Sequence, residues 1–171
     1  MCLVLRESKM TRRRYSSLYV AIWFFFFLEG LSAQTLQIIN AEGHSTNISA
    51  AQIANSPHIT VEVRDHDVPA RFDGVPISAL LAMAGIQLGD TMRGPRMTEV
   101  ILVEAADGYR VVFAVTEFDP AFATREIILA DKRDGKTMDA KEGPLRIVAA
   151  GDKRPARWIR QVTTLRLIAV K

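Results

Sequence analysis

Apolar residues fall at every second position in HITVEVRD (58–65), where Ile59, Val61 and Val63 alternate with polar neighbours, the period of a half-buried strand. LQIIN (36–40) reads as a strand before it. Between the two, STNISAAQIANSP (45–57) predicts a short helix with Ser45 or Thr46 as its cap and Pro57 past its end. VPARF (68–72) predicts a further strand that turns at Asp73-Gly74. In PISALLAMAG (76–85), Pro76 opens a helix, Ile77, Leu80, Leu81 and Ala84 form its apolar face, and Gly85 ends it.

The middle of the chain carries two β-rich runs in VILVEAADGYRVVFAV (100–115). Asp107-Gly108 lies between them, the pair favoured in a type I′ hairpin turn. TEFDPAF (116–122) predicts one helical turn capped by Thr116. REIILAD (125–131), RIVAA (146–150) and TLRLIAV (164–170) are strands, with a turn at Asp134-Gly135. Many short strands with two or three short helices predict an α+β fold: a single domain with a mixed β-sheet.

Length agrees with one domain, since the chain has 171 residues. Its net charge of +3 and pI near 9.2 suggest an anionic partner. However, residues 1–33 hold five cations and two acids, which leaves 17 of each sign in residues 34–171. The charge argument for nucleic acid then disappears. Aromatic residues are also too scarce there to stack bases.

Those first 33 residues read as a signal peptide. TRRRYSSLYVAIWFFFFLEGLSA (11–33) has a basic start, an apolar stretch from Leu18 to Leu28, and Ala33 before a cleavage point. An apolar stretch this short does not span a bilayer core of ~30 Å. The expectation is a periplasmic or secreted protein with no stable membrane anchor after cleavage. TRRRY also resembles a twin-arginine export signal, and Met10 competes with Met1 as the start. Cys2 is the chain's one cysteine, so residues 34–171 have no disulfide, thiolate ligand or thiol nucleophile.

No GxSxG, HExxH, GxGxxG or phosphate-loop motif occurs. Asp65, His66 and Asp67 are adjacent acceptors, but neighbours on an extended chain point to opposite faces, so no metal is expected there. EGPLRIVAAGDKRPARWIRQV (142–162) is the richest stretch. Arg146, Lys153, Arg154, Arg157 and Arg160 fall within fifteen residues, opposed in that span by Asp152 alone. Arginine forks and a loop opened by Gly151 suit a small oxyanion. The same residues suit ion pairs of Arg146 and Arg160 with acids such as Glu142 and Asp152. Trp158 points elsewhere and packs into the core. Tyr109 begins a strand after a turn, where its hydroxyl can face a cleft.

FDGVPISALLAMAG, ADGYRVVFAV, REIILADKRDGKTMDAKEGPLRIV and GDKRPARWIRQV occur in this order. Together they resemble the molybdopterin-binding oxidoreductase domain of the sulfite-oxidase type over residues 58–170. The resemblance implies that the chain after Pro-Leu-Arg holds a pterin and its phosphate. It carries over to Arg146 in Pro-Leu-Arg, to Gly151 at the start of the loop, and to Arg157 before Trp158, the best single candidate. Lys153 and Arg154 of the basic loop join these as binding candidates, and Tyr109 in Asp-Gly-Tyr lies near the cleft and not on the pterin.

Catalytic members of that family bind molybdenum through a cysteine in the segment that reads VRDHDVPARFDGVP here, and this segment has none. The implied function is therefore an exported, non-catalytic domain that binds a pterin or another small anionic ligand. One alternative is a small molybdenum-dependent oxidoreductase with an atypical metal ligand. Another is a periplasmic protein-interaction module with an exported redox partner.

Overall fold

The structure is a computed structural model that describes residues 35–170. The expected leader, with its cleavage after Ala33, lies outside the described residues. Among the described residues, ten strands form two five-stranded sheets. The first holds, in spatial order, β2 (Ser45–Ser49), β1 (Thr35–Ile39), β10 (Val162–Ala169), β5 (Glu99–Ala105) and β6 (Arg110–Ala114). It is mixed, because β1 runs parallel to β10 while its other pairs are antiparallel.

The second sheet is antiparallel. It orders β3 (Ile59–Asp65), β4 (Val68–Pro76) and β7 (Ile127–Arg133). β8 (Lys136–Thr137) and β9 (Arg146–Ala149) both pair with β7. The expected α+β class and single mixed-sheet domain are observed, with RIVAA and TLRLIAV placed in different sheets.

Two short helices accompany the sheets: α1 (Ala50–Asn55) and α2 (Ile77–Met83). The segment expected to be helical from Ser45 splits, because Ser45–Ser49 pairs with β1 as a strand. The helix instead starts after Ser49, whose hydroxyl accepts from the Gln52 N–H while the Gln52 side chain accepts from the Ser49 N–H. α2 follows its expected bounds. Gly85, at φ +77°, ends it with Ile86 N–H donating to the Leu81 carbonyl and Gly85 N–H to that of Ala82.

Asp73-Gly74 does not turn the chain, and β4 runs straight through it. Gly74 sits so close to β7 that a Cβ would overlap the Leu129 carbonyl oxygen and Ala130 Cα. The register shifts at this point, leaving Asp131 as an extra residue in β7. The turn lies earlier, at His66-Asp67, whose φ values of 50° and 67° are those of a two-residue type I′ hairpin. At Asp107-Gly108 the expected type I′ turn is replaced by a three-residue loop. Only Gly108 has positive φ, and Ala105 bonds both Gly108 and Tyr109.

The single helical turn expected at TEFDPAF is present as a 3-10 helix over Val115–Phe118, but Thr116 lies inside it and Ala114 stands at the cap, its N–H accepted by the Glu117 carboxylate. The core lies where the sheets and α2 meet. Phe72, Leu80, Leu81, Ile101, Phe113, Ile128 and Leu165 are fully buried there.

Candidate functional site

The basic segment leaves β9 at Ala149 and re-enters the first sheet at Val162, so its ends are held by different sheets. Ile147 N–H donates to the Ile159 carbonyl and Val162 N–H to that of Leu145. Between them, Pro155–Arg157 forms a single 3-10 turn. Trp158 is buried as expected. Its indole N–H donates to the Ala149 carbonyl at 3.0 Å, and its ring meets Phe72 edge-on at 6.2 Å. The Tyr109 hydroxyl reaches across from the β5–β6 hairpin and donates to the Ala156 carbonyl at 3.1 Å. Tyr109 thus braces the loop from outside.

A cleft of about 750 Å³ opens between this loop and the β3–β4 turn. Arg64, His66 and Asp67 line one side, and Asp152, Lys153, Arg154, Pro155 and Ala156 the other. Lys153 and Arg154 are exposed. Neither makes an ion pair among the described residues. Arg64 donates to the Asp67 backbone carbonyl at 2.7 Å, which holds it without neutralising its charge. The Asp152 carboxylate is bound along both edges by Arg157, at 2.7 and 2.9 Å. The cleft therefore presents Arg64, Lys153 and Arg154 against the single uncommitted carboxylate of Asp67.

The other expected site residues lie elsewhere. Arg157 and Gly151 face a second hollow of about 300 Å³ beside Arg125. Besides Asp152, Arg157 bonds Glu117 at 3.0 Å, and its guanidinium lies 4.4 Å from the Phe113 ring centre. Gly151 accepts from Arg125 through its carbonyl at 2.8 Å. A Cβ there would overlap the Arg125 side chain, so the glycine serves that packing.

Arg146 is 1% exposed and lines neither cavity. It donates to Asp65 at 3.1 Å and to Glu142 at 3.3 Å. The guanidinium lies against the rings of Phe72 and Trp158. Arg133 joins the same two acids. The expected pairing with Glu142 is present, and with Asp65 and Arg133 it forms a four-residue cluster in which Arg146 and Asp65 are buried and Arg133 and Glu142 half-buried.

Asp65, 4% exposed, connects that cluster to the cleft. One carboxylate oxygen accepts from Arg146, and the other meets His66 Nδ1 at 2.8 Å. Burial alone raises its pKa. The Arg146 charge, the hydrogen bonds from His66 and Arg146, and the Arg133 charge outweigh burial and hold the carboxyl below the ordinary aspartate range. Sequence reasoning treated Asp65 to Asp67 only as a weak metal group. The signal it lacked was the turn: two successive left-handed residues fold His66 back over Asp65.

These residues suit the oxyanion end of a molybdenum-pterin cofactor, but not its metal. Asp65 is committed to Arg146, Arg133 and His66, and no cluster of three metal-ligating side chains exists among the described residues. The sequence also offers no thiolate beyond Cys2.

The two sheets and the loop that joins them make an α+β fold whose likeness is found among solved molybdopterin-related structures. Among solved structures, the chain is similar to the sulfane dehydrogenase SoxCD from Paracoccus pantotrophus, with a TM-score of 0.62 and 17% sequence identity. The likeness covers 80% of this chain and 38% of that one. No protein-family model and no curated protein matches the sequence.

Proposed function

We propose that this chain is an exported, non-catalytic binding domain that takes a small anionic ligand, a pterin or another oxyanion-bearing molecule, in the cleft between the β3–β4 turn and the 152–156 loop. The observation that carries this reading is the convergence of Arg64, Lys153 and Arg154 on one cleft whose Asp152 is already neutralised by Arg157. An incoming oxyanion meets cations that no other carboxylate occupies.

Calorimetric titration of the exported protein with inorganic phosphate at low ionic strength tests it. Lys153→Ala/Arg154→Ala is expected to weaken binding at least about tenfold, as loss of two charge-assisted contacts requires. Equal affinity in the variant, or no phosphate binding by the parent, overturns the reading.

The fold likeness to a sulfane dehydrogenase favours one second reading, a small molybdenum-dependent oxidoreductase with an atypical ligand. Elemental analysis of the purified protein decides between them. The binding-domain reading expects no stoichiometric molybdenum, and near-stoichiometric metal would establish the second reading.

A further inference from the structure

His66 lines the cleft with a ring that can present either an acceptor or a donor, and its partner fixes which atom does so. Asp65 is held as a carboxylate by the buried Arg146 and the half-buried Arg133, and a carboxylate only accepts. The hydrogen in the 2.8 Å contact therefore belongs to His66 Nδ1. A neutral imidazole then has its lone pair on Nε2, which has no partner among the described residues. His66 lines the cleft and is 71% exposed there. Neutral His66 offers an acceptor among cations, whereas the protonated ring offers one more donor.

From this we infer that the Asp65–His66 pair makes the cleft select an oxyanion that carries its own proton, a hydrogenphosphate group, over an unprotonated one of equal charge and size. The inference rests on the anion-binding reading above and names the ligand class for it. Arg64, Lys153 and Arg154 supply the attraction common to all dianions. His66 Nε2 supplies the distinction. It accepts a hydrogen bond from P–OH, while a fully deprotonated oxygen would face its lone pair. Because His66 is largely exposed, water satisfies Nε2 in the free cleft, and the discrimination is the net worth of one hydrogen bond that only a protonated oxyanion can make.

The groups that face His66 agree with this assignment. Arg64 and Asp67 flank it on its own turn, and Arg133 and Arg146 stand behind Asp65. Asp152, Lys153 and Arg154 line the cleft with it, Asp152 being held by Arg157. The geometry is that of a positioning residue, Asp65, acting through His66 on a ligand oxygen.

The test compares inorganic phosphate, sulfate and methyl phosphate on the exported protein by calorimetry. At pH 8, phosphate is a dianion that retains one hydroxyl, whereas sulfate and methyl phosphate are dianions without one, a monoester's second pKa being about 6. Phosphate is expected to bind about threefold to tenfold more tightly than either, the ratio set by one net hydrogen bond.

His66→Asn keeps a residue that tolerates positive φ and replaces the ring by an amide that both donates and accepts. It should retain phosphate binding and lose the pH 8 preference. Equal binding of the three anions by the parent at pH 8, or a preference that survives in His66→Asn, overturns the inference. Either result leaves the cleft reading standing if Lys153→Ala/Arg154→Ala still weakens binding. If no anion binds the parent, the cleft reading fails and this inference falls with it. Should His66→Asn misfold, the three-anion comparison on the parent at pH 8 still decides.

Discussion

Arg146 and Arg154 stand eight residues apart in one basic stretch and have opposite circumstances. Arg146 is buried between Asp65 and Glu142 with aromatic rings against its guanidinium. Arg154 is exposed at the cleft, beside Lys153, with no acid bound to it among the described residues. The partners that make this difference come from elsewhere in the fold. Asp65 approaches from 81 residues away, and Glu117 reaches Arg157 from 40 away. Spacing along the basic stretch says how many cations it has. Pairing across the sheets decides which remain available to a ligand.

The largest effect expected from breaking this contrast is on stability, at Arg146. Arg146→Ala removes a buried cation from two acids and opens space against Phe72 and Trp158. Breaking a buried pair by deleting one partner costs about 3–5 kcal/mol, since the remaining charge stays desolvated. Arg133, at 3.3 Å from Asp65, keeps the loss within that range. Urea unfolding measures it. A loss under about 1 kcal/mol would mean that the cluster behaves like a surface ion pair and that the comparison is drawn in the wrong place.

Arg157→Ala comes next. Its two acids are partly exposed, so the ion pairs contribute about 1 kcal/mol together, and the stacking on Phe113 adds about 0.5–1. A loss of about 1–2 kcal/mol in urea unfolding is expected. Asp152 would also be released into the cleft as a bare carboxylate. Phosphate binding should therefore weaken through added repulsion, and Arg157→Ala/Asp152→Asn should restore it. Failure of that double variant to recover binding would place Arg157 on the ligand itself.

How far the sequence foretold this follows the range of the forces involved. Strands with period-two patterning, the α2 helix with Gly85 at its end, and the buried Trp158 are local or follow from hydrophobicity, and they stand close to their expected bounds. Ser45–Ser49 misleads because its cap-forming serines and threonine also suit an edge strand, and pairing with β1 decides the matter. Asp73-Gly74 misleads because glycine serves close strand approach as well as turns. At the site, the basic loop was legible as a place rich in cations. Its separation into the neutralised Arg146 and Arg157 and the available Lys153 and Arg154 was not. Neither was the His66–Asp65 contact, which exists because two non-glycine residues adopt positive φ in succession.

The smallest stability effect is expected at Lys153→Ala/Arg154→Ala, and this sharpens the comparison most. Both side chains are exposed and unpaired among the described residues, so their removal takes away no folded-state contact of consequence. Surface changes of this kind stay within about 0.5 kcal/mol. Residues placed for folding should lose stability when truncated. Residues placed for a ligand should instead lose affinity, with stability unchanged or slightly raised as crowded like charges are relieved. If the double variant is less stable by more than about 1 kcal/mol, Lys153 and Arg154 belong with Arg146 as parts of the fold. If stability holds while phosphate affinity falls, the two halves of one basic stretch divide as their pairing indicates: one organises the sheet behind the cleft, and the other faces what the cleft holds.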